Sequence, residues 1–263
     1  MTALDTTTSG GLRWAFKDTL VLTGRNLRHT SRQPELLFFS TVQPVIFVLL
    51  FRYVFGGAIE TPGLSYVNFL MAGIFVQTTA FASTSSAVGL ANDLSKGIVD
   101  RFRSLPMARS AVLAGRTLGD LCRIVLVVLV MTAVGLAVGL RPTSASGLLG
   151  AIALTSLFGF AFSWIQAFIG LSVPNVEAAN LAGFVWLFPL TFASSAFVPI
   201  DTMPGWLQAF ATATPVTPTV DAVRALLNEG LPLQAPLLKS LAWIVAITVV
   251  FSTLAVRKYR RVS

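Results

Sequence analysis

Long apolar runs separated by short polar intervals outline this chain. Six runs, at residues 36–55, 66–90, 124–140, 148–171, 178–198 and 237–256, reach or approach the length of about 20 residues that a helix needs to cross a bilayer core. The third gains length from a polar foot that precedes it. The pattern therefore predicts an all-α membrane protein with six transmembrane helices. Ahead of the first run, Leu12, Phe16, Thr19, Leu20, Thr23 and Leu27 recur at helical spacing on one side, with Arg13, Lys17 and Arg28 on the other. Trp14 and Val21 interrupt the basic side. An amphipathic elbow helix over residues 11–32 is expected, lying along the membrane surface, either sliding there or anchoring basic residues to anionic headgroups. The expected division is a flexible N-terminus at 1–10, the elbow at 11–32, the six-helix domain at 33–256 and a basic tail at 257–263. No short apolar core with a small-residue cleavage site follows the threonine-rich start, so a cleaved leader is not expected.

Two polar or amphiphilic intervals break the pattern. Residues 92–109 carry charges of both signs between membrane-grade segments. Lys96 and Asp100 are four apart and Asp100 and Arg103 three apart, which predicts a short helix over about 95–103, laced by ion pairs of a few tenths of a kcal/mol each. Pro106 ends it. Phe102 and Leu105 add apolar surface to this charged island, a combination suited to docking on a partner. Arg116, Asp120 and Arg123 then repeat at four and three, predicting a paired polar foot under the third span. The second interval, residues 197–230, is amphiphilic. Proline before a helical pattern recurs at Pro204 and Thr217-Pro218, and Asp221 and Arg224 lie three apart. With Trp206, Phe210, Val220, Val223, Leu226 and Leu227 suited to shallow insertion, two short re-entrant or interfacial helices are expected; a capped external loop is the alternative.

Counting Lys and Arg by interval orients the chain. Fifteen fall at the termini, the island and the foot, against only Arg52, Arg141, Arg224 and Lys239 on the other side. The positive-inside bias predicts a multi-pass protein of the plasma (inner) membrane with both termini and the island cytoplasmic. The turn at 172–177 carries no basic residue and is placed there by parity alone. Composition agrees: 54% hydrophobic and 11% charged residues leave too little charge to clothe a soluble globule. The net charge of +8 is thus a topology signal, and no nucleic-acid partner is expected.

Chemistry is sparse. The lone histidine, His29, sits beside Arg28 at an edge, no His-Glu-x-x-His motif occurs, and Cys122 is the one cysteine, expected to pack inertly. No metal site or catalytic residue is expected. The chain also lacks a Gly-x-x-x-x-Gly-Lys-Ser/Thr phosphate loop. Apart from Arg52 near an outer end and Lys239 at the start of the sixth, the six runs hold no ionisable group of the kind an ion-coupled carrier uses, Glu177 lying in the turn between the fourth and fifth. Energy must then come from outside the chain. Phe39, Gln43 and Phe47 in the first run, Phe75, Gln77 and Phe81 in the second, and Phe188 and Phe192 in the fifth are candidates for an apolar path with polar handles, lipid-facing filler being the plainer role for such aromatics. The small residues from Ala82 to Gly89 allow close packing within the bundle or between copies.

The elbow, the six runs, the island Asp100-Arg101-Phe102-Arg103-Ser104-Leu105-Pro106-Met107-Ala108-Arg109 and the segments Ala196-Phe197-Val198-Pro199, Met203-Pro204-Gly205-Trp206-Leu207 and Pro215-Val216-Thr217 together resemble the membrane subunit of ABC-2 type exporters, in particular the daunorubicin-resistance-like permeases. The similarity runs from about Trp14 to Arg257. It implies that Asp100, Arg101, Phe102, Arg103, Ser104 and Leu105 form a coupling helix seated on a separate ATP-binding-cassette ATPase, two copies of which would hold the ATP and magnesium. It also implies pairing with a second copy or a homologous permease, and alternating-access export of an amphipathic drug-like or lipid substrate, this chain being no enzyme. Export of polysaccharide or glycolipid, import, or a channel or scaffold role without a motor are the alternatives.

Overall fold

The computed structural model describes residues 34–55, 65–97 and 109–261. The elbow with Arg13, Lys17 and Arg28, and the coupling residues Asp100 to Leu105, lie outside these. Every regular element among the described residues is helical. They are α1 (Pro34–Leu50), running into a π-helical turn (Phe51–Phe55), α2 (Tyr66–Ala82), α3 (Thr84–Ser95), α4 (Arg109–Val138) and α5 (Ala145–Gly170). There follow α6 (Val176–Val185), α7 (Leu187–Phe192), a 3₁₀ turn (Ile200–Thr202), α8 (Gly205–Ala213), α9 (Val216–Leu227) and α10 (Gln234–Arg261).

Local sequence sets the boundaries. Ser65, Ser144 and Asn175 cap α2, α5 and α6, their side-chain oxygens accepting from the amides of Asn68, Gly147 and Ala178 at 3.3, 3.0 and 2.8 Å. Gly97 stops α3 at φ +64°, a conformation that costs glycine nothing. Ser95 is therefore the last residue of α3 rather than the first of a new helix, and whatever 98–103 adopt lies outside the described residues. Helix α9 begins at Val216, two residues before the Pro218 start expected from sequence, because Pro215 already occupies the cap and the third helical position tolerates a missing N–H. Pro204 is likewise the cap of α8.

Four helical stretches, Tyr66–Ser95, Gly115–Val138, Ala145–Gly170 and Gln234–Tyr259, are long and apolar enough to cross a bilayer; Val42–Val54 and Val176–Phe192 are shorter apolar helices. Helix α4 carries Arg116, Asp120 and Arg123 inside its length, so charge enters the bundle deeper than the apolar run alone indicated. The fifth run is not one helix: it breaks at Trp186, and Pro189, which has no N–H to return to Val185, follows three residues later.

Helix α5 lies at the centre, touching α2, α3, α4, α6, α9 and α10. Lipid supplies no hydrophobic drive between helices, so close approach through small residues does the work. A Cβ on Gly73 would strike the Ala196 backbone, and one on Gly170 would sit 2.5 Å from the Ala87 carbonyl oxygen. Leu90, Leu113, Trp164, Leu171, Ala255 and Tyr259 cluster at one end, which places the turn after α5 at the same end as Asp93, Arg116 and the basic end of α10. Val220, Val223 and Leu227, expected to dip into the interface, are instead wholly buried in the main core, while Trp206 and Phe210 on α8 are exposed. Cys122, expected to pack inertly, points outward from α4.

Candidate functional site

A half-open cavity of about 170 Å³ lies between α1, α2, the start of α3 and α6, lined by Gln43, Pro44, Phe47, Gln77, Thr78, Phe81, Ala82, Thr84 and Phe184. Helical spacing explains the grouping. Gln43 and Phe47 are four apart on α1, and Gln77 and Phe81 four apart on α2, so each pair shares one face. Four of the residues singled out from sequence thus meet at one place. Phe188 and Phe192 do not line the cavity but continue its wall: Phe81 stands 4.8 Å from Phe184 and 5.5 Å from Phe188, Phe188 stacks on Phe192 at 5.3 Å, and Phe192 lies 6.4 Å from Phe47. Phe75 is not part of this seam. It is fully buried in the core, because at two positions before Gln77 it faces the opposite side of α2. The side chain of Phe39 lies outside the described residues.

No charged residue is among those that line the cavity. Its polar groups are two amides, Gln43 in the open and Gln77 nearly buried, and the hydroxyls of Thr78 and Thr84. The Thr84 hydroxyl donates to the Phe81 carbonyl at 2.7 Å, whereas that of Thr78, 4% exposed, has no partner. A buried hydroxyl left unpaired costs about 1–3 kcal/mol and is well placed to meet a guest. Sequence reasoning passed over Thr78, although its position beside Gln77 and three before Phe81 was the available signal.

Two polar knots brace the ends of the bundle. At one end, Asp93 on α3 pairs with Arg116 on α4 at 2.5 Å; Asp120 accepts from Ser86 and, at 3.4 Å, from Ser85. Arg123 lies 3.8 Å from Asp120 and donates to Ser85 and to the Ala82 carbonyl. That carbonyl is available because the Ser86 amide turns to Ser83 at the α2–α3 junction. A Cβ on Gly89 would overlap the Arg116 guanidinium, so a larger residue there would make that side chain shift. The foot read from sequence is thus paired, but chiefly to α3 rather than within itself.

At the far end, Asn68 donates to the Arg141 carbonyl at 3.0 Å and the Asn228 side chain at 2.7 Å. Arg224 pairs with Asp221 at 3.0 Å as the spacing predicted, donates to the Ser195 carbonyl at 2.8 Å, and lies 3.7 Å over the Phe69 ring. Burial lowers the Arg224 pKa to about 10, partly offset by Asp221, so the guanidinium stays charged at neutral pH. Burial also raises Asp221, opposed by Arg224 and the Ser195 hydroxyl. The short helix α9 is thereby tied to both α2 and the segment after α7.

Long apolar helices, buried charge gathered into two paired knots and a cavity lined by no charged residue define an integral membrane protein. Residues 17–228 match the family of ABC-2 type transporters. The chain is 36% identical over 196 residues, 74% of its length and 69% of the relative's, to the daunorubicin resistance ABC transporter permease protein DrrB1 of Streptomyces coeruleorubidus. It is 27% identical over 255 residues, 93% of its length and 89% of the relative's, to DrrC of Mycobacterium tuberculosis, described as a probable doxorubicin resistance ABC transporter permease. This protein belongs to the ABC-2 type transporter family.

Proposed function

We propose that the chain is the membrane subunit of an ABC exporter that moves an amphipathic, drug-like molecule or lipid outward, driven by a separate ATP-binding-cassette ATPase. The cavity carries this reading: aromatic rings, two amides and an unpaired hydroxyl, with no charge among the lining residues, fit an apolar guest with a few polar groups. At about 170 Å³ it is smaller than the roughly 300–1,000 Å³ of drug-sized sites, which favours a path completed by a second copy across the α1 and α6–α7 faces. Six membrane crossings, with the two shorter apolar helices as the first and fifth, the elbow at 11–32, and cytoplasmic termini belong to the same proposal.

The sequence holds no phosphate loop, so ATP and magnesium are assigned to the partner, two copies of which would sit beneath the pair. Asp100, Arg101, Phe102, Arg103, Ser104 and Leu105 are assigned to the coupling surface. The Asp93–Arg116 pair closes the base of that segment, so a push on it reaches α3 and α4 together. Co-purification in mild detergent is expected to bring down a nucleotidase at one copy per permease. In the reconstituted complex, charge reversal of Asp100 and Arg103 together should abolish cargo-stimulated ATP hydrolysis with the membrane domain intact; undiminished stimulation would sink the coupling assignment.

A further inference from the structure

The break in the fifth run is held from outside by two side chains of α5. Gln166, on α5, is fully buried, and its Nε2 donates to the Gly183 carbonyl at 2.8 Å, on the last turn of α6. Four residues earlier on the same face of α5, the Phe162 ring stacks on Trp186 at 5.5 Å with an interplanar angle of 23°. The two contacts straddle the point where α6 ends at Val185 and α7 begins at Leu187. Gly183 is part of the fit, because a Cβ there would lie 2.6 Å from Gln166 Oε1.

We infer that Gln166 is a positioning residue for transport: with Phe162 it fixes the bend at Trp186, and the bend sets where Phe184 and Phe188, on either side of it, close on Phe81. The arrangement is poised rather than saturated. Gln166 Oε1 is a buried acceptor without a partner, and Trp186 Nε1, across the break, is a buried donor without one. A second setting of α7 in which the indole N–H reaches that oxygen would pair both, and would carry Phe188 and Phe192 with it. An apolar residue at position 166 offers neither the hold on Gly183 nor the acceptor. This inference extends the export reading, yet its structural half stands without it.

The test is ¹⁹F NMR of fluorotryptophan-labelled protein in lipid nanodiscs, the Trp186 resonance being the one lost in Trp186→Phe. Gln166→Leu is expected to shift or split that resonance. Gln166→Glu should titrate: at acid pH the protonated carboxyl again donates to Gly183 and the wild-type position returns, whereas the carboxylate at high pH loses that hold, keeps the acceptor and favours the setting in which the Trp186 N–H reaches it. Were the glutamine merely space-filling, leucine, of similar volume, would keep the wild-type position and the protonated glutamate would match the leucine variant. In the complex with its ATPase, the cargo concentration at half-maximal stimulation should rise several-fold in Gln166→Leu with hydrolysis in the absence of cargo unchanged. Should Gln166→Leu not insert, Gly183→Ala, which pushes the amide away, takes its place in both measurements. An inserted variant with an unmoved Trp186 resonance overturns the inference. A moved resonance without any change in cargo response leaves the bend in place and overturns its role in transport.

Discussion

Arg224 concentrates more buried chemistry than any other side chain described at its end of the bundle. It joins a carboxylate, two backbone carbonyls and an aromatic face, with a tenth of the side chain exposed. Removing one partner of such a pair leaves a buried charge uncompensated. Asp221→Asn should therefore lower stability by about 2 kcal/mol, short of the 3–5 of full burial because the carboxylate is partly exposed. Replacing both, Arg224→Met with Asp221→Leu, should cost less than Arg224 left alone. Thermal unfolding in detergent checks the order. Thr78 lies at the opposite extreme, a hydroxyl with nothing to hold. Thr78→Val should leave stability level or raised, since an unpaired buried oxygen is removed, while weakening cargo-stimulated ATP hydrolysis; equal cargo response in both proteins would remove Thr78 from the site.

At the scale of elements, glycine separates packing from mere presence. Gly170→Ala would press a methyl against the Ala87 backbone where α5 meets α3, and about 1–3 kcal/mol of destabilisation is expected. Gly205→Ala, at the first turn of α8 with open space around it, should instead stabilise by about 0.4–1 kcal/mol. Melting temperatures of the two variants, measured side by side, should move in opposite directions. How far such elements can be read from sequence follows from the same physics. Apolar length and cap chemistry are local, so α2 with α3, α4, α5 and α10 were legible, as was the Asp221–Arg224 spacing. Val220, Val223 and Leu227 were misplaced because amphipathicity says that a face is apolar and not whether lipid or protein covers it. Phe75 misled in the same way: on a helix buried nearly all round, composition cannot tell the face of a cavity from the heart of the core. The break at Trp186 could be suspected from Pro189, but its support by Gln166 joins residues 17 apart through the fold and leaves no local signature.

For the molecule as a whole, the Asp93–Arg116 pair makes a stiff base for the segment between α3 and α4. A charge exchange, Asp93→Arg with Arg116→Asp, should restore the cargo-stimulated hydrolysis that either change alone depresses, measured in the reconstituted complex with protein level held equal. Restoration by geometry-preserving exchange would mark a transmission element; failure would leave the pair a local staple.

The unequal lengths of the apolar helices carry a last consequence. Gln234–Tyr259 spans 26 residues, about 39 Å, whereas Val176–Phe192 covers 17 with a break at Trp186, at most about 25 Å, against a hydrocarbon slab of roughly 30 Å. With Val176–Phe192 as the proposed fifth crossing, lipid beside it would thin while lipid beside Gln234–Tyr259 would thicken or that helix would tilt, an uneven seat in the bilayer. Acyl-chain length then becomes a load borne mainly by the short flank, where the phenylalanines are.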